Sequence, residues 1–594
     1  MDFYSFYTGK SFDAHRWLGV HPQGKGFIFR TFAPGAERVS LIGECTGGEE
    51  VPMEKAFDGN FYECVLPEAR EGQKYQYRIY HDGTYTDHCD PYGYGMELRP
   101  AHQSVIRTLD YDFEDDTWMK GRNNCKNRPL NIYEVHLGSW RRKGEGLNDF
   151  YTYTELAELL VPYVKECGYD HIELLPICEH PADESWGYQN TGFFSPTSRY
   201  GTAVELKAFI NACHRNGIGV ILDFVPVHFA LDDYGLHKYD GTFLYEYPSN
   251  DVGVSEWGSC NFMHSRGEVR SFLQSAVCYW LEEYHFDGIR FDAISRILYW
   301  QGDPARGVNG MAVSFVREMN REVKERFPGC MLIAEDSTEF TRVTEPVDKG
   351  GLGFDYKWDL GWMHDTLSVF QMSPVERKEQ YHKLTFSMMY YYNDSYLLPF
   401  SHDEVVHGKA TILQKMNGDY DRKFPQARAL YLYMMTHPGK KLNFMGNEIG
   451  HFREWDEKRE QDWELLKYPL HDSLYHYIKE LNLLYSRHPA LYEYDYRQEG
   501  FQWLDCEKDG TCTYAFLRKG SWETLAVVLN LDDRPVLGYE MKIPSAKGVT
   551  LLLHSDWQRW GGNTVEREES LPISREGTVR VDIPPLSGML FRVE

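Results

Sequence analysis

The chain has 594 residues, 42% hydrophobic and 26% charged, with a formal net charge of −26 at neutral pH. That length exceeds one ordinary domain and predicts three or four, while no apolar run approaches the ~18 residues of a membrane-spanning helix. The acidic balance excludes the basic footprint of a nucleic-acid binder; solubility accounts for it.

The opening, MDFYSFYTGKSFD, lacks the basic and apolar stretches of a secretory signal, so a cytoplasmic location without membrane attachment is expected. Residues 1–115 show short alternating runs, GFIFRTFA (26–33), RVSLIG (38–43), FYECVL (61–66) and YQYRIY (75–80), punctuated by Gly, Pro and Asp. This pattern predicts a β-sandwich. The acidic stretch DYDFEDDTW (110–118) then leads to NIYEVHLGSW (131–140), a first strand of a different kind, and YDHIELLPI (169–177) is the second. Helical spacing over 153–168 and 203–217 alternates with these strands, and Gly217 suits the end of the second helix. The third strand, GVILDF (219–224), is followed by an insertion over 229–268, expected to wall one side of a cleft. Helices over 268–286 and 312–329 feed the fourth and fifth strands, at GIRFDAIS (288–295) and MLIAEDS (331–337). GLGFDYKWDLGW (351–362) is taken as the sixth strand and its loop, YLLPFSHDE (396–404) as the seventh and LNFMGNE (442–448) as the eighth. A helix over 472–489 closes the set, and from 491 to 594 strand patterns return. Unalternating apolar runs between helices predict a buried parallel sheet. The fold class is therefore α/β: a (β/α)8 TIM barrel over 116–490, with an all-β sandwich on either side.

In such a barrel the residues at the carboxyl ends of the strands form the site. Asp223, His228, Arg290, Asp292, Glu335, His402 and Asp403 all stand there. Cleaving an acetal between sugars needs one carboxylate at the anomeric carbon and a proton donor at the leaving oxygen. Asp292 and Glu335, on adjacent strands, supply that pair. Arg290, two residues before Asp292, shares its side of the strand and favours the ionised form of Asp292. Glu335 follows an apolar run near other carboxyls and suits a general acid, and Asp403 opposes the positive charge of an oxocarbenium-like transition state.

Each residue has a plainer explanation. Arg290–Asp292 is compatible with scaffolding, Glu335–Asp336 with a solvated loop pair, His402–Asp403 with a local hydrogen bond, His228 with a packed histidine and Asp223 with a loop cap. The coincidence of several such endings on successive strands favours chemistry. Gly446, Asn447 and Glu448 are taken as a plain turn. The twelve cysteines form no C-x-x-C pair and no Cys/His cluster, so reduced thiols and no structural zinc are expected. With no H-E-x-x-H and no calcium loop, no metal or other cofactor is expected. The 42 Tyr and 15 Trp are compatible with stacking on sugar rings.

DFVPVH, GIRFDA, IAEDS and SHDE together resemble the four short segments of the α-amylase family of glycoside hydrolases and transglycosylases. WGYQNTGFFSPTSRYGT (186–202), the run 268–300, GGLGFDYKWDLGWMHDTL (350–367) and NFMGNEIGHFREW (443–455) resemble, within it, the glycogen and starch branching enzymes. The resemblance implies a retaining barrel enzyme that cuts an α-1,4-glucosidic bond and transfers the chain to a 6-hydroxyl. By position it makes Asp292 the nucleophile, Glu335 the acid/base and Asp403 the transition-state carboxylate. Arg290, His228 and His402 become sugar contacts, Tyr188 a stacking tyrosine, and Asp223 a support at the end of strand three. The amino-terminal sandwich resembles the glycan-binding module ahead of such barrels, so α-glucans (glycogen, amylose, amylopectin) are the implied partners of a monomeric enzyme. Val227 stands where calcium-dependent amylases carry an Asn, which favours an enzyme without metal. Asp355 and Asp359 stand where the family carries mostly small or amide residues. The alternatives are a hydrolase of the same family, amylase-like or acting on maltooligosyl-trehalose, and a non-catalytic glycan-binding protein.

Overall fold

The computed structural model describes residues 1–508, 510–543, 546–567, 569–574 and 577–594. Eight parallel strands close into a barrel: β1 (Asn131–Val135), β2 (His171–Leu174), β3 (Gly219–Phe224), β4 (Gly288–Phe291), β5 (Met331–Ala334), β6 (Tyr356–Trp358), β7 (Tyr396–Phe400) and β8 (Lys440–Phe444). β8 pairs back onto β1, with Leu442 opposite Ile132. Apart from His171 at the start of β2, every barrel-strand residue is buried, as expected of a parallel sheet covered on both faces.

The crossover helices begin where their caps dictate. Thr152 with Glu155 and Thr202 with Glu205 form reciprocal capping boxes at the helices Tyr153–Glu166 and Ala203–Arg215. The second ends at Gly217, whose φ of 76° costs a glycine nothing. The sixth strand is shorter than the sequence suggests. It stops at Trp358, and Asp359 accepts a 2.8 Å bond from Trp362 N to start the helix Leu360–Gln371. Sequence periodicity finds no element between β7 and β8, where the helix Tyr420–Thr436 lies. All its residues from Gln426 to Thr436 are buried, so no polar face marks its period.

Ahead of the barrel, one antiparallel sheet contains Gly26–Phe32 and Phe61–Leu66, and a second contains Arg38–Gly43 and Lys74–His81. They share a core in which Phe29 and Tyr75 meet edge to face at 5.1 Å. The insertion after β3 touches this sandwich: Tyr239 bonds Thr31 at 2.6 Å, and Asp240 accepts from Gly35 N at 2.6 Å. Beyond the barrel, a six-stranded sheet centred on Thr524–Asn530 faces the pair Val536–Lys542 and Thr578–Ile583. A buried charge cluster seals this domain to the barrel: Asp495 lies 2.9 Å from Lys440 Nζ and 2.6 Å from Arg518 Nη2.

The cysteines are free, but one departs from the sequence reading of no Cys/His cluster. In space Cys260 Sγ lies 3.4 Å from His237 Nδ1, which lies 3.1 Å from Glu246. The three come together because the insertion folds back on itself, pairing Phe229 with Cys260. Among the described residues no helix is long and apolar enough to cross a membrane.

Candidate active site

Arg290, fully buried on β4, is the hub. Its Nη1 donates to both oxygens of Asp223 on β3, at 2.8 and 2.9 Å, and to Asp292 Oδ1 at 2.9 Å. Its Nη2 lies 3.1 Å from Glu335 Oε2, beyond β5. The guanidinium carbon sits 4.3 Å from the ring centre of Trp358 on β6, a cation–π contact that fixes its plane. Asp223 and Arg290 are register partners in neighbouring strands, so their side chains leave the sheet on the same side. Glu335 Oε2 also accepts Ala293 N at 2.8 Å.

A second line of contacts enters from β7. His402 Nδ1 lies 2.6 Å from Glu134 Oε1 of β1, and His402 N donates to Glu134 Oε2 at 2.9 Å. On the other edge, His402 Nε2 is 3.2 Å from Tyr188 OH and 3.4 Å from Asp403 Oδ1. Tyr188 donates in turn to Asp223 Oδ2 at 2.5 Å, closing the circuit. Asp403 is the most exposed of the three carboxyls, at 45% against 14% for Asp292 and 19% for Glu335.

Burial lifts the Asp292 carboxyl above the usual range; the Arg290 guanidinium works against that and favours the ionised form, as the sequence predicts, while the neighbouring Glu335, Asp223 and Asp403 add to the lift. Burial likewise raises Asp223 to about 6, although Arg290 and Tyr188 pull it down. Asp403 goes the other way: burial works to raise it, but His402, Arg290 and Lys409 prevail and lower it. Burial pushes His228 to about 4, so its ring is neutral.

The structure thus brings Tyr188, Asp223, Arg290, Asp292, Glu335, His402 and Asp403 into one connected cluster. His228 stands beside it on a separate short ladder. Its Nδ1 bonds Ser259 at 2.9 Å, and its ring lies 5.3 Å from Trp257 of the insertion. Sequence reasoning missed Glu134 and Glu173. Both lie inside barrel strands and are fully buried, and Glu173 finds no hydrogen-bond partner among the described residues. A signal was present: each is a lone acid in an apolar run, NIYEV and HIELL. Asp355 and Asp359 are structural. Asp355 bonds Lys324 at 2.7 Å and Leu332 N at 2.9 Å, and Asp359 caps its helix and accepts Tyr390 OH at 2.8 Å. Glu448 is a turn residue whose carboxylate accepts Tyr133, Tyr163 and Gly446 N at 2.8, 2.7 and 2.8 Å. Val227 is buried and apolar, so it offers no side-chain ligand to a hard cation.

A barrel with this mouth defines a class, and the comparisons agree with it. Residues 17–93 match "Carbohydrate-binding module 48 (Isoamylase N-terminal domain)", 156–238 and 258–510 match "Alpha amylase, catalytic domain", and 503–594 match "Alpha amylase, C-terminal all-beta domain". The fold is shared with solved pullulanases, at TM-score 0.74 and 19% identity for one from Bacillus subtilis (100% of this chain, 87% of that one). One from Bacillus acidopullulyticus gives 0.72 and 18% (97% and 74%). A "1,4-alpha-glucan branching enzyme GlgB" of Oceanobacillus iheyensis is 43% identical over 100% of this chain and 98% of its own length. Another, of Geobacillus stearothermophilus, is 42% identical over 95% and 90%. The chain belongs to the 1,4-alpha-glucan branching enzymes of the α-amylase family.

Proposed function

We propose that this chain branches α-glucans by retaining transglycosylation. Asp292 attacks the anomeric carbon of an α-1,4-linked chain as the C1–O4 bond breaks, and Glu335 delivers its proton to the departing oxygen. A covalent glucosyl-enzyme and a free non-reducing end result. Glu335, now a base, takes the proton of a 6-hydroxyl as that oxygen displaces Asp292 from C1, forming an α-1,6 branch with net retention. Asp403 stabilises the positive charge at C1, His402, His228 and Arg290 bind or orient the sugar, Tyr188 stacks beside the cleaved bond, and Asp223 supports Arg290. One observation carries the reading: Asp292 accepts a hydrogen bond from one terminal nitrogen of the Arg290 guanidinium at 2.9 Å, and Glu335 lies as an ion pair 3.1 Å from the other. Two carboxyls sharing one guanidinium are suited to act on the same C1–O bond.

Transfer outruns hydrolysis when an acceptor is held in place, because orientation raises its effective concentration above that of water. Trp257, 46% exposed beside His228, is suited to hold a sugar ring, and the amino-terminal sandwich to hold glycogen or amylose at a distance. The same reading takes the protein as a cytoplasmic monomer working without a metal or other cofactor, with domains divided near residues 115 and 490. Incubation with amylose tests it. Iodine absorbance is expected to fall without new reducing ends, while α-1,6 anomeric signals appear in proton NMR. Reducing ends rising in step with lost absorbance would make the chain a hydrolase instead.

A further inference from the structure

The hydrogen-bond logic around His402 is over-determined, and it points to a role for a residue outside the eight above. Nδ1 lies 2.6 Å from a carboxylate oxygen of Glu134, an acceptor, so Nδ1 carries a hydrogen. At the other edge Tyr188 has already given its hydroxyl hydrogen to Asp223 at 2.5 Å, so toward Nε2 at 3.2 Å it offers only a lone pair. The remaining neighbour of Nε2, Asp403 Oδ1 at 3.4 Å, is also an acceptor. Nε2 therefore carries a hydrogen as well. The ring is an imidazolium because each partner is already committed.

We propose that Glu134 is a positioning residue for glucan transfer, fixing His402 as a cation whose Nε2–H faces the sugar beside Asp403. The proposal rests on the site reading given above. Glu134 grips both the ring and the backbone N–H of His402, so it sets orientation and charge together. The titratable and charged groups facing His402 from the surrounding elements are Glu134 on β1, His136 just after it, Glu173 on β2, Tyr188 after β2, Asp223 on β3, Arg290 on β4 and Asp403 on its own loop. The aromatic rings of Phe444 and Trp455 lie 6.0 and 6.2 Å away. Burial and Arg290 oppose the charge, but Asp403 and Glu134 outweigh them and lift the imidazole to about 10.

Glu134→Gln keeps the shape and reverses the demand. Its amide oxygen can still accept from His402 N, but its NH2 then faces Nδ1 and requires a lone pair there. Because the native group stays protonated up to its raised value, kcat/KM of the wild type has no alkaline fall from His402 near neutrality. In E134Q a new fall is expected as pH rises through about 6.5, the ordinary histidine value. At pH 5.5 the variant should lie within about threefold of wild type, and at pH 8 about 10- to 100-fold below it. A variant profile parallel to wild type from pH 5.5 to 8.5 would overturn the proposal. Should E134Q fail to fold, carbon-13 histidine NMR of the wild type decides, with the His402 signal assigned by its loss in His402→Asn. A ring still protonated at pH 8.5 supports the role, and titration near 6.5 refutes it. Failure of the underlying reading looks different, since Asp292→Ala would then still turn over glucan.

Discussion

Of the buried charge clusters in this barrel, the one in its mouth and the one at the seam with the carboxyl-terminal domain are built on opposite principles. At the seam one carboxylate serves two cations. Asp495 takes Lys440 and Arg518, and the remaining donors go to backbone carbonyls, Lys126 O and Tyr492 O for the lysine, Thr436 O and Leu491 O for the arginine. Burial works to raise Asp495, but the cations around it win and lower it. In the mouth two cations, Arg290 and His402, face six carboxyls: Glu134, Glu173, Asp223, Asp292, Glu335 and Asp403. Arg290 Nε and Nη2 form no hydrogen bond among the described residues, and neither does the Glu173 carboxyl. The seam is satisfied and holds domains together. The mouth keeps unspent charge and donors, which is what a site that must stabilise a passing positive charge requires.

Removing one acid from each cluster is expected to have opposite consequences. Asp292→Ala should abolish branching, by about 10⁴-fold or more, in the iodine–amylose assay. Its melting temperature should not fall, since a crowded carboxyl has gone. Asp495→Ala should leave activity per folded molecule intact but strand two buried cations. The expected loss is about 3–5 kcal/mol of stability, read from urea unfolding. Equal stability losses in the two variants would break the comparison.

The smallest effect sharpens it. Burial lifts the Glu173 carboxyl well above its usual range, with Glu134 and Asp223 adding to the lift and Arg290 and His402 opposing it. A group whose folded value is raised costs stability as pH climbs through the window above its unfolded value, because the unfolded chain gives up the proton first. Glu173→Gln mimics the neutral form. It should change stability by less than about 0.5 kcal/mol at pH 4, below the unfolded value of about 4.3, and soften the decline toward pH 8, measured by thermal unfolding across that range. A loss as large as that of Asp495→Ala would show that Glu173 has a partner.

Much of this was legible in the residues themselves. Apolar runs such as VILDF, which carries Asp223, and MLIA, which leads into Glu335, marked strands and site together, because a charge near the carboxyl end of a buried parallel strand stands out against the run. Capped, amphipathic helices such as Tyr153–Glu166 were visible for the same kind of local reason. The helix Tyr420–Thr436 was not, since burial on every side erases its period. Nor were Cys260 and His237, 23 residues apart, visible as neighbours.

The sequence by itself determined the barrel, the identity of the candidate acids and the family, because those follow from strand period, strand endings and motif. The protonation balance of the mouth was decided only by the tertiary structure. Whether Arg290 ionises Asp292, and whether Glu134 charges His402, depends on which groups from six strands are buried within a few ångströms of one another, and no local pattern encodes that sum.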